Sequence, residues 1–286
     1  MGFGLSQHTF LPFAVSELVT ATFLIGLGCS PLTVAADSDP DGATIIARSM
    51  KASEADWAAA RFYAYDERVH DDDGTRTYEV LDLLGTPYKR VTTVNGAPVS
   101  GDQKEKEDQK LSHEREKRES ESAEERSQRV RDYENSREQA HRIILAMPHA
   151  FDYRLAGKRQ LSTGTVYIVE ATPNKAYDPP NAEAEVLSAM TGEFWIDTRT
   201  YQWIHGVAHV RHPVTIHGFL ATVEPGTEFE LDQMYVGDNV WLPKHFEIRS
   251  QASVLYLFHH HTFEEHTFFN YTKPPDGVNL APVQRS

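Results

Sequence analysis

The chain has 286 residues, a formal net charge of −14 and a single cysteine. So acidic a balance excludes a general basic platform for nucleic acid and repels anionic lipid headgroups at long range, so any lipid contact has to come from apolar burial. The lone Cys29 excludes an internal disulfide, and the length suits one large β domain with insertions.

Residues 1–36 read as a leader. An apolar stretch from Leu18 to Gly28 precedes Cys29, and SPLTVAADSDPDG then passes from small to polar residues, as a secretory cleavage region does. The stretch is short for a bilayer span. Two processing points compete: after Ala36, with Val34 and Ala36 in the small-residue positions, or before Cys29, which would leave a lipidated terminus. Residues 1–17 contain no Lys or Arg, a departure from the usual basic start.

A single domain is expected over 37–272. It opens with a short amphipathic helix inside Ala43 to Tyr65, where Ile45, Ile46, Met50 and Trp57 fall near one face. From Arg61 the period changes to two, predicting strands near 61–69, 76–83 and 88–94. Asp72-Asp73-Gly74, Gly85-Thr86-Pro87 and Asn95-Gly96 punctuate them as turns. Residues 102–142 differ in kind: 24 of 41 are charged, 13 acidic and 11 basic, and Leu111 is the only larger aliphatic between Asp102 and Arg129. The segment 102–147 reads as a charged helical insertion, solvated or partly disordered, docking only through its last part, where Val130, Tyr133, Ile143, Ile144 and Met147 return.

Strands resume at 151–157, 165–172, 192–197, 201–211, 215–223, 227–236, 240–250 and 253–271. Between the second and third of these, 173–191 holds a Pro-rich loop and a few helical residues, enough for a small lid. GEFWIDTRTYQW, Gly192 to Trp203, shows the alternation best: Phe194 and Ile196 point one way, Glu193, Trp195 and Asp197 the other, and Asp-Thr-Arg-Thr makes a hairpin turn. Such alternation describes an antiparallel sheet with one apolar and one wet face. Residues 273–286, beginning near Pro274-Pro275, read as a disordered tail.

In this order, the leader, the helix before RFYAYDERV, the pair TYEVLDLLGTPYKR with NGAPVS, then FDYRLAG, VYIVEATP, GEFWIDTRTYQW and GTEFELDQMYVGDNVWLPKHFEIR, the chain resembles the outer-membrane lipoprotein-sorting proteins of the LolA/LolB-like superfamily. The resemblance implies a mainly β fold with α: a curved antiparallel sheet of about 11 strands forming an incomplete half-barrel, its apolar concave face covered by helices. It also implies a periplasmic or outer-membrane-peripheral place in a Gram-negative envelope, and a lipid or an acylated protein as partner.

The apolar parity supplies candidates for that concave face: Phe194, Ile196, Phe219, Ala221, Val223, Phe229, Leu231, Tyr235, Leu242, Phe246 and Ile248. The same residues read as ordinary core, because a curved sheet has to fill its inner face whether or not a ligand visits. Trp203 and Trp241 read as core or sheet-edge anchors. A second function, sensory or scaffolding, would use the charged helix to bind an envelope protein.

Catalytic motifs are missing. GxSxG, HExxH and a Walker-type loop do not occur, and HHHTFEEH does not match HxxEH. Glu264 and Glu265, being adjacent on a strand, face opposite sides. Of 14 histidines, His205, His209, His212 and His217 share one hairpin and His259, His260, His261 and His266 the last strand; alternation means a metal would need ligands from neighbouring strands. The reading is a non-catalytic protein with no cofactor and no assigned metal.

Overall fold

A computed structural model describes residues 39–216, 221–254 and 258–273. The leader at 1–36, Phe219 and the tail from Pro274 lie outside them. The chain begins with α1 (Gly42–Ala60), then β1 (Ala64–Asp71), β2 (Gly74–Leu83), β3 (Thr86–Val94) and the two-residue β4 (Ala97–Pro98). Two helices follow, α2 (Gly101–Glu119) and α3 (Ala123–Ala150). The remaining strands are β5 (Phe151–Leu161), β6 (Gly164–Pro173), β7 (Met190–Asp197), β8 (Trp203–Val210), β9 (Val214–Ile216), β10 (Ala221–Val223), β11 (Glu228–Gly237), β12 (Val240–Val254) and β13 (Phe258–Thr272), with a 3-10 segment at Ala182–Ala189 before β7.

The main path of the sheet runs β4-β3-β2-β1-β13-β12-β11-β8-β7-β6-β5, with β9 and β10 as a side pair on β12. Every pairing is antiparallel, and the path ends at β4 and β5 without closing. The fold is therefore mainly β with α, an open sheet of eleven strands in line. The first strand and the last meet in the middle: β1 runs antiparallel to β13, Val69 opposite His266 and Glu67 opposite Phe268.

That topology gives the charged segment its job. After the meander β1 to β4 the chain stands at one edge, and it re-enters at the other edge with β5. The crossover between them is α2 and α3. Strands β3 and β5 are nine spacings apart, about 43 Å in a flat sheet. From Arg129, which reaches Thr86 of β3, to Ala150 the helix measures about 32 Å. One helix and an arginine side chain thus bridge more sheet than their length allows, so the sheet bends toward α3.

The expectation of a solvated insertion docking only at its end is corrected here. Arg118 is only 7% exposed and donates to the carbonyls of Leu83 and Thr86 and to the Thr86 hydroxyl, at 2.7, 3.0 and 2.9 Å. Arg129 adds Thr86, the Leu84 carbonyl and Glu121. The β2–β3 turn carries outward carbonyls, and Leu84 has φ 52°, so the guanidinium forks satisfy groups that an apolar helix face could not. Between the helices, Ser122 and Glu125 form a reciprocal cap.

The α1 helix begins at Asp41, whose carboxylate accepts from the Thr44 amide at 2.6 Å. Its first residue is Gly42 because a Cβ there would stand 2.8 Å from the Tyr153 carbonyl carbon and oxygen. Near its other end, Asp56 accepts from the Trp241 amide at 2.9 Å, so α1 lies across the strands from β5 to β12. Ile45 and Ile46 enter a core with Met147, Tyr167, Val169, Leu187, Met190, Phe194, Ile196 and Val210. This core fills the half of the trough over β5 to β8. Trp203 belongs to it, its ring 4.8 Å edge-on to Phe194 and lying over Gly206, where no side chain would fit.

Candidate functional site

The other half of the trough, over β1, β2, β12 and β13, is built differently. Between that part of the sheet, the end of α1 and α3 lies a partly open cavity of about 110 Å³, walled by Tyr63, Tyr65, Val80, Tyr133, Leu242, Pro243, Phe268 and Tyr271 among others. Tyr65 contacts Phe268 and Tyr271 at 5.9 and 5.3 Å, and Tyr63 contacts Tyr271 at 6.3 Å. The Tyr271 hydroxyl donates to the Pro243 carbonyl at 2.7 Å, so its polar end is tied down and its ring left as wall. Burial, and then the Glu67 carboxylate, hold the Tyr65 and Tyr271 phenols well above their ordinary range, so both stay neutral.

Strand geometry explains the convergence. Tyr63, just before β1, and Tyr65 within it both turn into the cavity. Phe268 and Tyr271 are three apart, and alternation alone would separate them. Asn270 at φ 55° and the register shift between Ala64 and Asp66 insert an extra residue in β13 that turns Tyr271 back beside Phe268. Arg137 closes the cavity from α3, donating to the Trp57 carbonyl at 3.0 Å with its guanidinium 4.6 Å from the Trp57 ring and 5.7 Å from Tyr133.

Beside the cavity, under Phe268, sits a charged chain. His266 Nδ1 is 2.7 Å from Glu67 Oε1, its Nε2 is 2.6 Å from Glu264 Oε1, and Glu67 Oε2 is 2.5 Å from Lys89 Nζ. Glu67 is 0% exposed. Burial pulls the His266 pKa down, but the carboxylates on either side outweigh it and the net shift is upward. Burial pushes Glu67 up, and the His266 and Lys89 contacts overcome that, leaving it lowered. With both imidazole nitrogens facing carboxylates, the protonated ring is the form that fits. Glu265, on the other side of β13, lies 3.6 Å from His245, as alternation requires.

Most of the residues predicted to line the hollow lie on one face of the sheet, but they differ in what covers them. Phe194 and Ile196 are buried in the core under α1. Val223 and Phe229 are half-buried against that core. Leu231 and Phe246 are direct cross-strand partners, as are Phe229 and Ile248, and all four are half-buried on the same side as His266. Of the predicted residues that are described, Leu242, 3% exposed, is the one in the cavity wall. Tyr235 lies beyond the register slip at Asp232/Gln233, pairs with Trp241 and is 53% exposed. Sequence reasoning missed the tyrosine wall. The signal available was the spacing Tyr63, Tyr65, Glu67 on a strand that the topology places against the last one.

No protein-family model and no curated protein matches the chain. Among solved structures it is similar to a DUF1329 family protein from Desulfovibrio piger, with 11% identity and a TM-score of 0.33. It is similar also to a putative outer membrane lipoprotein-sorting protein domain from Vibrio parahaemolyticus, with 9% identity and a TM-score of 0.34. A LolA superfamily protein from Nitrosomonas europaea follows at 6% and 0.30; in all three cases 82% of this chain and 93% of the other is covered. Identities and scores of this size leave the function to be read from the chain's own residues.

Proposed function

We propose that the protein is a non-catalytic envelope protein that holds a lipid or the acyl chain of a lipoprotein in the hollow over β1, β2, β12 and β13. The observation that carries this reading is the tyrosine-walled cavity, whose phenols are neutral and whose one predicted contributor among the described residues is Leu242. At about 110 Å³ it is smaller than the ~300–1,000 Å³ of ordinary ligand pockets. It therefore accepts the end of a chain, and the remainder runs over Phe246 and Leu231, which continue the face past His266. Each buried methylene contributes about 0.8 kcal/mol, so a dozen offset a substantial ordering cost. Export through the residue 1–36 leader supplies the compartment in which such cargo is met.

The test is native mass spectrometry with lipid extraction on the chain from about Asp37, purified under mild conditions. A stoichiometric acyl-bearing ligand, lost in Phe246→Asp with the circular dichroism unchanged, supports the reading. A ligand-free mass together with no uptake of a fluorescent fatty acid overturns it, and moves attention to protein docking along α2.

A further inference from the structure

The outer face of the sheet, opposite the hollow, carries a second arrangement. Cross-strand pairing puts Glu170 opposite Glu193, Glu193 opposite Val207, Val207 opposite Glu230, Glu230 opposite Glu247, and Glu247 opposite Glu265. Like charges directly opposite one another destabilise a sheet. Most members of the row are relieved: Glu170 by Arg154, Glu193 by the Trp195 indole N–H, Glu247 by Arg249, Glu265 by His245. Glu230 is not relieved in that way. Its nearest cationic partner among the described residues is His205 Nδ1, at 3.9 Å.

His205 is itself the direct partner of Asp232, with Nδ1 2.7 Å from Oδ1, and Trp195 walls it on one side at 4.7 Å between ring centres. His205, Glu230 and Asp232 each offer one ligand atom, and the three atoms lie within 4.8 Å of one another. All three side chains are half-buried. We infer that His205, Asp232 and Glu230 form a site for a divalent transition-metal ion of the zinc type on the convex face, separate from the hollow. One imidazole and two carboxylates are a donor set that zinc, copper and nickel accept, and two carboxylates match the ion's charge. Tetrahedral bonds of about 2.0–2.2 Å place ligand atoms about 3.4 Å apart. The His205 Nδ1 separations of 2.7 and 3.9 Å straddle that value, and with all three atoms within 4.8 Å of one another small side-chain rotations convert a hydrogen bond into a coordination site. Water completes the fourth position.

The experiment is zinc titration of the full chain against a chromogenic chelator at pH 7.5, with total metal measured after dialysis. One equivalent with micromolar or tighter affinity is expected, reduced at least tenfold in both His205→Gln and Asp232→Asn. These replacements keep hydrogen-bonding shape, and circular dichroism verifies folding. The triple replacement of His259, His260 and His261 by Ala is expected to bind as the parent does. Absence of tight zinc, unchanged affinity in the two single variants, or loss confined to the triple variant each overturns the inference.

Discussion

Replacing His266 by Leu isolates the buried charge chain. The imidazolium sits between Glu67, which is fully buried, and Glu264, and Lys89 is the other cation paired with Glu67 among the described residues. Removing one partner of a buried ion pair typically costs about 3–5 kcal/mol, because the other charge is left uncompensated. Glu67→Leu is expected to cost less, about 1–3 kcal/mol: His266 keeps Glu264, and Lys89 is one-quarter exposed and can turn to water. The double variant is the diagnostic. It removes both charges and restores apolar volume next to Phe246 and Phe268, so it should be more stable than His266→Leu alone, with a coupling of about 2 kcal/mol or more. Urea unfolding at pH 6, reading both the midpoint and the slope, measures this. The pH dependence gives a second readout. The raised His266 pKa contributes stability that is full below 6.5 and is lost as pH rises through the folded value. The lowered Glu67 pKa contributes stability present above 4.5 and lost as pH falls through its folded value. The parent's advantage over the double variant should therefore peak between 4.5 and 6.5. A double variant whose loss equals the two single losses added together, with an advantage flat in pH, would refute the coupled-cluster reasoning.

Two more predictions concern α1. Gly42→Ala forces a methyl to within 2.8 Å of the Tyr153 backbone and should cost about 1–3 kcal/mol in urea unfolding; a change under a few tenths would mean that α1 is free to lift off β5. Burial raises Asp56 to a pKa of about 6, outweighing the lowering effect of hydrogen bonds from the Trp241 amide and the Gln202 side chain. Because the folded state holds that proton more tightly, stability is highest below 3.8 and declines by about 3 kcal/mol as pH rises toward 7. Asp56→Asn keeps the acceptor for Trp241 and should be more stable than the parent at pH 7.5 but not at pH 3.5; denaturation midpoints that fail to cross over between these pH values reject the assignment.

Alternation reached as far as each strand ran unbroken. Phe194, Ile196 and Trp195 fell on the sides expected because β7 itself carries no extra residue: the irregularity between Trp195 and Ile196 is taken up by Ile204 of β8, just before the turn where Asp197 accepts from the Arg199 and Thr200 amides. It failed where a strand carries an extra residue, since a slip of one residue changes which side chains share a face. Asn270 is such a point: the extra residue there brings Tyr271, which alternation alone would turn away, beside Phe268.

Charge patterning failed for a different reason. It treats Arg118 and Glu114 as an i,i+4 pair on a wet helix, and that ion pair does form at 2.6 Å. What decides the burial of Arg118 is a set of carbonyl oxygens 32 to 35 residues upstream, on a turn that needs donors. No local composition encodes that need. The same holds for both candidate sites. The hollow exists because β1 meets β13, and the His205–Asp232 pair because β8 meets β11 in one register; neither contact is between neighbours in sequence. Once those two pairings are granted, Tyr65 and Phe268 must share one face, and His205 and Asp232 the other.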